Sequence, residues 1–114
     1  MISEGICELV LETDDVEGLA RFYAGIGLEE LSREEGRVWL AAGRRARLGL
    51  WPPGEKEHRD RGGSHVHFAL SVEPGTLDRL AERLRGNGLE VSDPVEHDGG
   101  DRSVYFFDPE GNRV

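Results

Sequence analysis

Two histidines one residue apart, His65 and His67, enter a stretch in which Val66, Phe68, Leu70 and Val72 alternate with more polar residues. On a β-strand this spacing puts both imidazoles on one face, about 6.6 Å apart along the chain. An earlier alternating stretch, Ile6 to Thr13, carries Glu8 on the side opposite Cys7, Leu9 and Leu11. A carboxylate and imidazoles together suit Zn, Fe, Mn, Co or Ni. Glu8, His65 and His67 are therefore a candidate three-donor set. The competing reading makes Glu8 a hydrogen-bonded or solvated carboxylate and His65 a rim or interface side chain. Cys7 shares the apolar row with Leu9 and Leu11, which predicts a packed, unreactive thiol. His58 and His97 fall in charged stretches and read as surface loop residues, although His97 could swing over a neighbouring site.

The elements that must position these groups follow from periodicity. Ile6–Thr13 reads as a strand. Thr13-Asp14-Asp15 offers N-caps for a helix carrying Val16, Leu19, Ala20, Phe22, Tyr23 and Ile26, with Gly27 at its end. Leu28–Glu34, Arg37–Ala42 and a stretch ending at Trp51 read as three strands. Residues 52–63 read as a linking loop. A second strand from Val66, a second helix with Leu77, Leu80, Ala81 and Leu84, and short strands at Leu89–Ser92 and Ser103–Phe107 follow. Asp108-Pro109-Glu110-Gly111-Asn112 is a turn signal, and Arg113-Val114 begins one more strand.

The two halves repeat each other. Leu9-Val-Leu-Glu-Thr matches Phe68-Ala-Leu-Ser-Val, and Gly27-Leu28-Glu29 matches Gly88-Leu89-Glu90. Under this repeat Glu8 and His67 are equivalent. The expected fold is α+β: one domain over 1–114, built of paired β-α-β-β-β modules at about 5–51 and 64–114. Two helices lie outside a cupped mixed sheet whose final strand is incomplete.

Composition narrows the class. Of 114 residues, 23 are acidic and 14 basic, for a net charge of −9. Such a chain repels phosphate backbones, which argues against nucleic acid as a partner. One cysteine excludes an internal disulfide. No run approaches the roughly 20 apolar residues of a membrane helix, and the N-terminus lacks a signal-peptide pattern. The expected location is the cytoplasm. No P-loop, dinucleotide glycine pattern, nucleophile elbow or zinc-finger spacing is present.

The paired modules, Phe22-Tyr23 with Gly27-Leu28, and Asp108-Pro109-Glu110-Gly111-Asn112 together resemble the vicinal oxygen chelate superfamily. That superfamily includes glyoxalase I, bleomycin resistance proteins, fosfomycin resistance proteins and extradiol dioxygenases. The resemblance implies a divalent metal in the cup, with Glu8 and His67 at first-strand ligand positions. It departs from the family pattern at Gly49, where glyoxalase I has an acid. The family's last ligand is a Glu one residue past Val114, so a longer product continuing with Glu would supply it. The resemblance also implies that Ser103 and Tyr105 line a substrate pocket; by strand alternation Arg47 and Trp51 flank Gly49 on the cup face of their strand, and Trp39 is expected to face the cup too. The two tryptophans could equally pack an interface or the helix layer.

Two functions follow as expectations. One is a metal-free, bleomycin-resistance-type protein that binds a flat or cationic small molecule in an aromatic, acidic cup, at a homodimer interface. The other is a metal-dependent lyase, transferase or dioxygenase acting on a substrate with vicinal oxygens.

Overall fold

The computed structural model describes residue 3, residues 5–54 and residues 66–114. The chain divides into two compact units, Met1–Ser64 and His65–Val114.

In the first unit, β1 (Glu8–Glu12) leads into α1 (Val16–Gly25), then β2 (Glu30–Glu34), β3 (Arg37–Ala41) and β4 (Arg47–Trp51). The four strands form one sheet in the order β1-β4-β3-β2. β1 and β4 run parallel, while β3 is antiparallel to both β4 and β2. This is the predicted β-α-β-β-β module, with strands one or two residues shorter at their ends. The α1 N-terminus is capped by Asp15, whose Oδ1 accepts from the Gly18 N–H at 2.9 Å. Asp15 is itself oriented by its N–H donating to Thr13 Oγ1. At the other end the chain leaves the helix through Gly27, whose φ of 111° suits glycine.

One face of this sheet packs on the helix. Leu11, Val38, Leu40, Leu48 and Leu50 are buried with Leu19, Ala20 and Tyr23 of α1. The opposite face holds the alternate residues, and register aligns them: Glu8 beside Arg47, Gly49 beside Trp39, and Glu12 beside Trp51. Cys7 departs from its expected place. It lies one residue before β1 and is exposed, because the sheet's apolar row covers only residues within the strands.

The second unit is less regular but pairs in the same pattern. His67 bridges Arg113 in parallel, and Phe107 bridges Arg113 antiparallel. β5 (Val95–Glu96) is antiparallel to β6 (Arg102–Ser103). The strand near His67 thus neighbours Arg113, then the Tyr105–Phe107 segment, then β5, as β1 neighbours β4, β3 and β2. The predicted strand at Leu89–Ser92 is displaced: its last residue pairs with Tyr105, and the regular ladder starts at Val95. α2 (Leu77–Gly86) buries Ala81 and Leu84, and Asp78 on it pairs with Arg102 of β6 at 3.0 Å.

The Asp-Pro-Glu-Gly-Asn turn has a specific structural role. Asp108 Oδ1 accepts the N–H groups of Glu110 and Asn112, and its Oδ2 accepts from Asn112 Nδ2. Asn112 Oδ1 in turn accepts the Val66 N–H at 3.0 Å. The turn therefore fixes the chain at the histidine-bearing segment beside the last strand. No described helix is long and apolar enough to cross a membrane.

Candidate functional site

β1, β3 and β4 bring five of the residues on the helix-free face into one connected row. Arg47 donates from both Nε and Nη2 to Glu8 Oε1, at 3.0 and 2.8 Å. Its guanidinium lies over the Trp39 ring, 4.0 Å from the centroid. Trp39 meets Trp51 edge-to-face, with centroids 5.9 Å apart and planes at 88°. The Arg37 guanidinium lies over Trp51 at 3.9 Å. Two cation–π contacts thus flank an aromatic pair, each contact worth about 0.5–1 kcal/mol at a partly exposed site. The Trp51 Nε1–H is buried without a hydrogen-bond partner among the described residues.

Gly49 sits under this row. A Cβ at position 49 would stand 2.7 Å from Trp39 Cζ3 and 2.9 Å from Cη2. The indole therefore occupies the volume that any side chain at 49 would need. Only glycine lets Trp39 lie flat on β4, and Trp39 is consequently 8% exposed.

The second unit carries a related arrangement. Arg113 lies over the Tyr105 ring at 4.4 Å, and the His67 and Tyr105 rings meet at 6.3 Å and 69°. Strand register makes the relation explicit. Arg47 is the Cα partner of Glu8, and Arg113 is that of His67. Arg47 on Trp39 and Arg113 on Tyr105 therefore stand at corresponding places in the two modules. His97 Nε2 and Ser103 Oγ are 3.1 Å apart, so His97 joins the Ser103–Tyr105 strand face instead of standing alone in a loop.

Of the residues singled out by sequence, Glu8, Trp39, Arg47 and Trp51 come together in the first unit. His67, Ser103 and Tyr105 share the second. His65, His58 and most of the 52–63 loop lie outside the described residues. Sequence reasoning missed Arg37 and Arg113. Both carried a signal: Arg37 has the parity of Trp39 on β3, and Arg113 matches Arg47 under the repeat. It also read Gly49 only as a missing acid, without seeing that Trp39 fills the place.

A divalent metal fits poorly among the described donors. No group of three His, Cys, Asp or Glu side chains is gathered among them. Position 49 offers no donor and no room for one. Glu8 Oε1 is already taken by two Arg47 N–H groups.

Among the described residues, two surface cavities lie away from these side chains, and neither is lined by Trp39, Trp51, Ser103 or Tyr105. One, of about 250 Å³, is at the β2–β3 turn and is bordered by Arg33, Glu34 and Arg37. The other, of about 260 Å³, runs along α2 beside Val72 and Leu80.

Comparison with known proteins agrees with this fold. The chain is 28% identical to a fosfomycin resistance protein, FosX, of Mesorhizobium japonicum, over 96% of this chain and 81% of that one. Its structure is similar to a lactoylglutathione lyase from Agrobacterium tumefaciens, with a TM-score of 0.81 and 26% identity over 100% of this chain and 92% of that one. It is also similar to a glyoxalase/bleomycin resistance protein/dioxygenase from Nocardioides, at a TM-score of 0.73 and 27% identity over 99% and 82% of the two chains. Members of this superfamily often use a divalent metal, generally form dimers and bind small molecules. Residues 5–114 match the profile of the Glyoxalase/Bleomycin resistance protein/Dioxygenase superfamily, and the chain belongs to that superfamily.

Proposed function

We propose that this protein binds a small organic molecule without a metal, as a homodimer in the cytoplasm, and that the aromatic and guanidinium side chains of the two modules make the contacts. The Trp39 ring on Gly49 carries this reading. A position that could face a metal is instead closed by an indole, and the nearby carboxylate of Glu8 is turned to Arg47. What remains on the helix-free face is a set of rings and N–H donors, which suits orientation of an organic ligand. Trp39, Arg47 and Trp51 would contribute from the first module, and Ser103 and Tyr105 from the second.

A thermal-shift screen of small molecules, run with and without chelator, tests this. A bound ligand stabilises the folded state by mass action, by about 2.7 kcal/mol at a hundredfold excess over Kd. The expected hits persist after chelation. Hits that vanish with chelator and return with Mn, Zn, Ni or Co would overturn the reading.

A second reading has its own support. Glu8 and His67 occupy corresponding register positions, each beside an arginine of its module's last strand. A metal held by Glu8 and His67, with His65 as a third ligand, would supply Lewis-acid chemistry to a substrate with vicinal oxygens. One of the similar structures is named a lactoylglutathione lyase, which accords with a lyase activity. About one equivalent of metal per chain after dialysis, abolished by His67→Ala with the fold intact, would establish this reading over the first.

A further inference from the structure

We infer that Arg37 and Arg47 set the ligand class of the first module by filling the tryptophan faces from within, so that this face rejects cations and takes planar ligands with acceptor oxygens at their edge, of the aryl carboxylate type. The inference deepens the small-molecule reading and rests on it.

An open indole face in an acidic protein would ordinarily attract cations, because it is the best aromatic partner for positive charge. Here that capacity is already used. Arg47 lies over Trp39 at 4.0 Å and Arg37 over Trp51 at 3.9 Å. Trp39 also rests on Gly49 and is 8% exposed, so it offers no open face. A second cation brought to either ring would meet a guanidinium at contact distance. The acids nearby give limited compensation. Glu8 is paired with Arg47, and Glu12 Oε1 accepts the Gly54 N–H at 2.9 Å. Glu34, the Cα partner of Arg37 on β2, forms no ion pair with it.

The same arrangement leaves donors available. Contact with a ring gives the Arg37 guanidinium no oxygen acceptor, and its five N–H groups have none among the described residues. The fork of a guanidinium matches a carboxylate in bidentate geometry. The Trp51 Nε1–H is buried with no partner among the described residues; an unpaired buried donor is costly, and a ligand oxygen would relieve that cost where the indole turns its N–H outward. The cavity of about 250 Å³ that Arg37 borders at the β2–β3 turn is also lined by Glu17, Glu34 and Glu35, so an anionic ligand is expected to meet Arg37 on its Trp51 side and not in that cavity.

Benzoate and N-methylpyridinium are planar probes of similar size and opposite charge. Tryptophan fluorescence titrations with each, at fixed ionic strength, are the test. Wild type is expected to bind benzoate at least tenfold more tightly than N-methylpyridinium. Arg37→Met keeps the aliphatic stem and removes the charge. It should weaken benzoate about tenfold and open Trp51 to the cation. Arg37→Lys should weaken benzoate while still excluding the cation, since it keeps charge but loses the fork; this variant also guards against misfolding of the first. Equal binding of both probes by wild type overturns the inference, as does an Arg37→Met protein that is folded by circular dichroism and unchanged toward both. Failure of benzoate to bind wild type overturns it too. In that case a neutral, chelator-resistant hit in the thermal-shift screen would show that the small-molecule reading itself survives.

Discussion

Gly49 and Trp39 behave as one unit at the scale of single residues. A side chain at 49 would press on the indole at 2.7 Å, and overpacking of this kind costs about 1–3 kcal/mol. Gly49→Glu should therefore lower the urea midpoint and gain no metal affinity. Combining it with Trp39→Ala removes the obstruction, and calorimetric titration with Mn or Co should then show binding stronger than in either single variant. Metal binding by Gly49→Glu alone, equal to that of the double variant, would show that Trp39 yields its place freely. The sequence made half of this legible. The strand parity placed Trp39, Gly49, Arg47 and Trp51 on one face correctly, because alternation is a local property of strands. It could not reveal that Trp39 reaches across to β4, since that depends on a rotamer and on the register between two strands. Cys7 shows the opposite error: parity put it in the apolar row, but β1 begins only at Glu8, one residue later.

At the scale of elements, polar contacts supplement the leucine core. The Asp108–Asn112 pair is buried, at 5% exposure each, and satisfies three backbone N–H groups. Removing one partner leaves buried donors unpaired at about 1–3 kcal/mol. Asp108→Ala and Asn112→Ala should each destabilise the second unit by about that amount in denaturant melts. Hydrogen exchange at Val66 should accelerate selectively in Asn112→Ala. Uniform protection there would show that the Asn112 contact does not hold the segment. On β2, Arg33 bridges Glu30 and Glu17 of α1 at 2.5 Å each. Its hydrogen bond is the main cause holding the Glu30 carboxyl below the usual glutamate value. A lowered folded-state pKa gives stability that is present above the unfolded value and lost as pH falls through the folded one. Arg33→Met should thus have a lower urea midpoint than wild type at pH 7 and converge with it as the pH falls below the range in which Glu30 protonates; both side chains are exposed, so the difference is small. A gap that widens in acid would contradict this. The turn motif was readable as a turn, whereas its latch onto Val66 was not, because the partners are 46 residues apart. β5 escaped notice for a related reason: Val95-Glu96 is too short to alternate and is flanked by Pro, Asp and Gly.

For the whole molecule, the repeat was the most legible feature and charge the least decisive. The first β-α-β-β-β pattern corresponds to a four-stranded sheet, whereas the second corresponds to a two-stranded ladder and two isolated bridges among the described residues. The net charge of −9 argued against nucleic acid but said nothing about how the acids are spent. The structure shows several of them in ion pairs with Arg33, Arg47 and Arg102. Charge does bear on the proposed homodimer. Two copies at −9 repel each other at long range, and that repulsion is screened within about 10 Å at 0.1 M salt but reaches about 30 Å at 0.01 M. Apolar side chains remain open to solvent, among them Ile6 at 81% and Phe107 at 62% exposure. An association driven by such groups, against like net charge, should tighten as salt rises. Light scattering after size exclusion should show more dimer at 0.5 M sodium chloride than at 0.02 M. Phe107→Asp should shift the balance toward monomer at both, since it replaces an exposed ring with a further negative charge. Dissociation by salt in the wild type would instead mean that ion pairs hold the two copies together, and a monomer at micromolar concentration under all conditions would remove the homodimer from the proposed function.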